Sequence, residues 1–158
     1  MLLQRQPEFS VIDAPSILGL RPTGVELLPK ALRAAGLLEQ LKADYAGMVA
    51  PTSAYNYRRD DGTGLLNPQA IKDYTLKLAE AVNGELRKNK FPIVIGGDCS
   101  ILIGNILALR RLGRYGLFFI DGHSDYYLPE ESSTGEVADM DLAIVSGHGP
   151  QRDQKSVV

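Results

Sequence analysis

Residues 91–125, FPIVIGGDCSILIGNILALRRLGRYGLFFIDGHSD, restrict the fold more than any other stretch of this chain. Two short apolar runs rich in β-branched and aromatic residues, 91–95 and 116–120, flank a segment of helical pattern over 100–112. That alternation is how a parallel βαβ unit is written in sequence, and it predicts adjacent parallel strands joined by a right-handed crossover. Both runs empty into polar residues: Gly96-Gly97-Asp98-Cys99-Ser100 after the first, Asp121-Gly122-His123-Ser124-Asp125 after the second. A thiol, an imidazole and three carboxylates are thereby expected past the carboxyl ends of neighbouring strands, the edge of an open α/β sheet where ligand sites form.

Asp121, His123 and Asp125 stand at spacing two. If the backbone stays extended, alternate residues point the same way, so two carboxylates and one imidazole can converge on a single cation. Oxygen ligation with nitrogen favours Mn, Fe, Co or Zn over Ca. The competing reading is a structural hydrogen-bonded network at a strand end. Asp98 and Ser100 suit helix capping equally well. Cys99 reads either as a small buried hydrophobe or, from its place between the two strand ends, as a ligand or nucleophile.

Length and composition narrow the classes. At 158 residues and 44% hydrophobic content the chain makes one domain with a sizeable core. Its net charge is -2, and the basic residues Lys88, Lys90, Arg110, Arg111 and Arg114 are scattered, which argues against nucleic acid or an acidic membrane as partner. The single cysteine excludes an internal disulfide and suits a reducing compartment. No apolar run is long enough to span a bilayer, and Pro7 interrupts the N-terminal segment where a signal peptide needs an apolar core. The expectation is a cytoplasmic protein.

In chain order, residues 9–12 predict a first strand and 13–23 a loop. The segment GVELLPKALRAAGLLEQLK predicts a helix with Pro29 in its first turn and an interruption at Gly36. Residues 47–50 predict an edge strand, and 51–66 are turn-like. Asn67-Pro68 predicts a capped helix start, the helix running to about residue 89 with Ile71, Leu78, Val82 and Leu86 near one face. Residues 126–141 lack a sustained period and predict a surface loop, with 142–145 a short helix and 146–158 an uncapped tail. The last strand would present an edge for further chain or for a second copy, as in a homo-oligomer.

Three blocks carry a resemblance. GVELLPKALRAAGLLEQL resembles the early segment entering the first helix of the arginase, agmatinase and formimidoylglutamase family, the binuclear manganese ureohydrolases. VIGGDCSILIGN resembles its Gly-Gly-Asp-His-Ser block, and FFIDGHSDYY its Asp-Ala-His-x-Asp block, at the right separation of about twenty residues. The likeness extends over nearly the whole chain and matches the N-terminal half of such proteins. It implies an α/β class, part of a three-layer α/β/α arginase-like fold with a parallel sheet, residues 1–158 forming the N-terminal part of a single domain.

The resemblance also implies chemistry: two Mn ions bridged by water or hydroxide, acting on a non-peptide C–N bond of a small guanidino or amidine substrate. By position, Asp121 resembles the carboxylate bridging both ions, Asp125 a catalytic carboxylate and ligand of the first ion, and His123 a ligand of the second. Two cations lower the pKa of a shared water and compensate charge in a tetrahedral intermediate. Cys99 stands where the family places a histidine ligand, so zinc or no metal are alternatives to manganese. Thr134 keeps a hydroxyl at a substrate-binding serine position, whereas Tyr127 replaces an asparagine and Ala138 a proton-shuttling histidine. These departures weigh against arginine as substrate. The family's Ser-x-Asp-x-Asp block, one bridging and one terminal carboxylate, is not reached. Two classes follow: a metal-dependent hydrolase whose complete form is longer, or a non-catalytic structural or interaction domain.

Overall fold

The structure is a computed structural model and describes residues 7–149. Three strands, β1 (Glu8–Ala14), β2 (Asp44–Met48) and β3 (Lys90–Gly96), form a parallel sheet in the order β2-β1-β3. Central β1 is buried on both faces because helices cover both. Its Ile12 and Ala14 join the core formed by Ile71, Tyr74, Leu78 and Val82 of α3 (Pro68–Arg87) and by Ile103 and Ala108 of α4 (Ile101–Arg110). Gly104 of α4 lies so close to Leu78 that a Cβ there would stand 3.0 Å from the leucine side chain, so the glycine lets α4 pack directly onto α3.

Alternation along the strand turns Asp13 to the other face, beneath α1 (Leu28–Ala34). Asp13 is 1% exposed, and its Oδ2 accepts from Arg33 Nε of α1 at 2.8 Å and from Tyr45 Oη of β2 at 3.2 Å. Arg33 in turn lies over the Tyr45 ring at 4.6 Å. A buried carboxylate is tolerated only when paired, and this pairing locks α1 to β1 and β2 at once.

The helix expected from the GVELLPKALRAAGLLEQLK segment is split as its sequence indicates. A 3-10 turn (Val25–Leu27) leads into α1, with Pro29 in the first turn, and Gly36 at φ 85° separates α1 from α2 (Leu37–Leu41). The first strand is longer than 9–12. The second lies earlier than 47–50, and its ladder shifts register between Val11 and Ile12, opposite Gly47 at φ 106°.

Asn67 starts α3 but not as a cap. It sits at φ 52°, its Oδ1 accepts from Asn56 N at 2.7 Å, and its Nδ2 donates to the Leu18 carbonyl at 3.0 Å. Asparagine tolerates the left-handed region, and the amide has both a donor and an acceptor to spend on two loops.

The expected strand at 116–120 is the principal correction. Among the described residues it pairs with nothing, and β3 bonds only to β1. Phe118 is 88% and Ile120 82% exposed. An apolar run of this kind becomes a strand only when neighbouring strands satisfy its backbone and helices cover its faces, and the described residues supply neither.

Residues 126–141 are less of a free surface loop than their composition suggests. Arg59 donates to the carbonyls of Gly64, Ser132 and Ser133, and Leu66 N to that of Gly135. A second 3-10 turn (Val137–Asp139) buries Val137 and Ala138, and α5 (Asp141–Ala143) runs into a π-turn (Ile144–His148). Of the expected uncapped tail, residues 150–158 lie outside the described residues. No described helix is long and apolar enough to cross a membrane.

Candidate metal centre

The site is assembled where the chain leaves β3. Gly97 N donates to the Ala14 carbonyl at 3.1 Å and Asp98 N to the Ser16 carbonyl at 2.9 Å, so the loops after β1 and β3 run against one another. A Cβ on Gly97 would lie 1.8 Å from Ser16 O, which is why glycine is required there.

Asp98, 2% exposed, accepts from Ser16 Oγ at 3.1 Å, Gly19 N at 3.3 Å and Ser100 N at 2.9 Å. It therefore caps the entry to α4 and braces both loops, whereas Ser100 makes no side-chain cap. With Asp98 spent on structure, the next residue, Cys99, is left facing the second loop.

Cys99, Asp121 and Asp125 each offer one ligand atom, and the three atoms lie within 4.8 Å of one another. Asp125 is 5% exposed, and its Oδ2 is buried without a hydrogen-bond donor. Burial raises its carboxyl above the usual range, and the charges of Asp121 and Asp139 raise it further. The Cys99 thiol is pushed up to about 11 by loss of hydration, then by the carboxylates of Asp141, Asp125, Asp121 and Asp98. A thiol and two carboxylates gathered this closely, with no donor for the buried Oδ2 of Asp125, form a poor structural network and a candidate cation site, since a dication offsets their mutual repulsion.

His123 is not part of this cluster. Asp121 Oδ1 accepts from His123 N at 2.9 Å, a local turn that curls the chain, and Asp125 follows at φ 45°. The extended backbone needed for common alternation is lost, and the imidazole is turned out, 89% exposed with its Nδ1 3.7 Å from Asp121 Oδ1. Among the described residues, no second group of ligating side chains stands in for another ion. Three ligand atoms fit one cation, and a thiolate with two carboxylates suits zinc better than manganese.

Thr134 lies apart, in a network of its own. Its Oγ1 accepts from Glu136 N at 3.1 Å and donates to Asp139 Oδ2 at 3.4 Å. Ala138 donates its N–H to the Gly19 carbonyl at 3.0 Å and brings no titratable side chain, while Tyr127 is 55% exposed.

Sequence reasoning passed over Asp141. It is 1% exposed, and its carboxyl is pushed up to about 8, by burial first and then by Asp125. The available signal was an acid set among apolar residues in VADMDLAIV.

A sequence model of the arginase family matches residues 8–148. The chain belongs to the arginase family. The arginase of Staphylococcus aureus strain COL is 36% identical over 150 residues, covering 90% of this chain and 50% of its own length. Among solved structures, Bacillus caldovelox arginase superposes with a TM-score of 0.83 at 31% identity over 91% of this chain and 50% of its own. Entamoeba histolytica arginase in complex with L-ornithine gives 0.79 at 27% identity, covering 95% and 53%. The chain thus spans about half the length of the arginases it matches, and the α/β/α arginase fold with its parallel sheet is present in part.

Proposed function

We propose that this chain carries part of the metal centre of an arginase-family hydrolase acting on a non-peptide C–N bond of a small guanidino or amidine compound. In this reading Cys99, Asp121 and Asp125 hold one divalent cation. The observation that carries it is the convergence of their ligand atoms within 4.8 Å, with the buried Oδ2 of Asp125 lacking any donor. A divalent cation there would lower the pKa of a nearby water and polarise the group under attack.

The chain's own residues would then do the following. Asp125 is the catalytic carboxylate, held close by Ala143 N, which donates to its backbone carbonyl at 3.3 Å. Asp98 keeps Cys99 in place by bracing both loops. Thr134, which keeps a hydroxyl at the family's substrate-binding serine position, would have to give up its bond to Asp139 before it could meet the far end of a substrate. Tyr127 and Ala138 favour an amidine other than arginine. The non-catalytic reading draws its support from the outward His123.

Competition titration of Zn and Mn tests this. The native chain is expected to prefer Zn over Mn by at least about a hundredfold, and Cys99→His to lower Zn affinity and gain Mn affinity, each about tenfold. Unchanged selectivity in Cys99→His would remove Cys99 from the site.

A further inference from the structure

A cavity of about 560 Å³ lies where α1 and the 3-10 turn before it cover the ends of β1 and β2, and none of Cys99, Asp121 and Asp125 lines it. Its walls are largely apolar, from Pro15, Leu27, Leu38 and Met48, and the exposure of Leu27 and Met48 leaves it open to solvent. Two carboxylates interrupt that lining, Asp13 and Glu26. Asp13 is 1% exposed; its Oδ2 accepts from Arg33 Nε and Tyr45 Oη, and its Oδ1 is buried with no donor. Glu26 Oε2 is likewise buried without a donor. A carboxylate oxygen in that condition bears the desolvation cost of its charge with no hydrogen bond to offset it. Two such oxygens on residues around one cavity show what the cavity lacks, which is N–H donors on a cation.

The charges set the valence of that cation. Asp13, Glu26 and Arg33 together carry -1, whereas Lys30, which also lines the cavity, is exposed and screened by water. The hydrogen bonds set its shape. Asp13 has only Oδ1 left to accept, so the two acceptors are single atoms on separate carboxylates. A guanidinium fork matches both oxygens of one carboxylate, while an ammonium is a compact charge with three donors that suits two single oxygens. The apolar walls suit an alkyl body on that head.

We propose that this cavity is a second ligand site that takes a primary alkylammonium, its head donating to Asp13 Oδ1 and Glu26 Oε2 and its alkyl chain lying against Leu27, Leu38 and Met48. Arg33 and Tyr45 hold the Asp13 carboxylate in place, and Glu26, half-buried on the 3-10 turn, rotates onto the ligand. The site requires no metal at Cys99.

Methionine-methyl ¹³C NMR of the full 158-residue chain, titrated with butylammonium chloride, tests it, because Met48 lines this cavity and Met140 is buried in the core. The Met48 resonance is expected to move with half-saturation on the order of a millimolar, and that of Met140 to stay in place. Glu26→Gln removes a charge from a half-buried side chain without changing its size, so the fold is kept, and binding is expected to weaken at least about tenfold. Butylguanidinium is expected to bind about fivefold more weakly than butylammonium, and butanoate and butanol to leave Met48 unmoved. The absence of any Met48 shift up to about 50 mM butylammonium would overturn the proposal. So would an undiminished shift in Glu26→Gln, an equal shift with butanoate, or butylguanidinium binding as tightly as butylammonium.

Discussion

Gly97→Ala is expected to unfold the protein or to cost at least about 3 kcal/mol, a large share of the roughly 5–15 kcal/mol that holds a domain together. The new Cβ would stand 1.8 Å from Ser16 O and 2.8 Å from Ser16 C, both backbone atoms. The carbonyl cannot retreat without breaking the 2.9 Å bond it accepts from Asp98 N, and with that bond goes the brace between the loops after β1 and β3. Gly96→Ala meets Ile101 Cδ1 at 2.0 Å, the tip of a side chain that can rotate, so a smaller loss is expected there. Gly84→Ala meets nothing within 4 Å inside α3 and is expected to stabilise by about 1 kcal/mol. Urea unfolding of the three variants supplies the comparison. A Gly97→Ala chain within about 1 kcal/mol of the native one would show that the two loops do not approach as described.

The second large effect concerns catalysis. Loaded with Mn or with Zn, the 158-residue chain is expected to release no urea, ammonia or formamide from arginine, agmatine, guanidinobutyrate or formimidoylglutamate. Its described metal cluster offers three close ligand atoms where the family reading calls for two fully ligated ions. The imidazole of His123 faces solvent, and Ala138 offers no group to move a proton. Misplacing a nucleophile by even an ångström or two forfeits most of what a two-ion site contributes. Turnover that travels with the polypeptide through purification and vanishes in Asp121→Ala would contradict this. Activity confined to a polypeptide that continues the fold would agree with it.

Much of the architecture could be read from local pattern because local pattern causes it. Residues 9–12, with Phe9, Val11 and Ile12, are apolar enough to show the central part of β1, and Gly36 divides α1 from α2 because glycine tolerates the positive φ that ends a helix. The helical spacing of Ile71, Leu78 and Val82 placed the core face of α3, although Tyr74 and Ala79 also belong to it. What sequence could not convey depended on partners distant in the chain. The 116–120 run carries strand chemistry, but a ladder needs a neighbour, and none of the described strands is one.

At the site the same division holds. The convergence of Cys99, Asp121 and Asp125 was legible because they close two apolar runs, although only the first of these, β3, is a strand. His123 was misplaced because the two-residue alternation presumes an extended backbone, whereas the Asp121 side chain bonds the His123 amide and bends it. Asp141 was invisible because its relation to Cys99 exists only once α5 folds back beside the loop bearing Asp125. Asn67 had the composition of a cap, yet its amide is committed to Asn56 and Leu18, a competition that no local rule weighs.

In the proposed reading Cys99 and the 121–125 loop hold one cation together. Zinc-edge X-ray absorption on the native chain, loaded and then dialysed, measures it most directly. One zinc per chain is expected, with a single sulfur at about 2.3 Å and the remaining ligands oxygen at about 2.0 Å, the sulfur shell disappearing in Cys99→Ser. A zinc shell of light atoms alone, or zinc that dialyses away from the native chain, would contradict it.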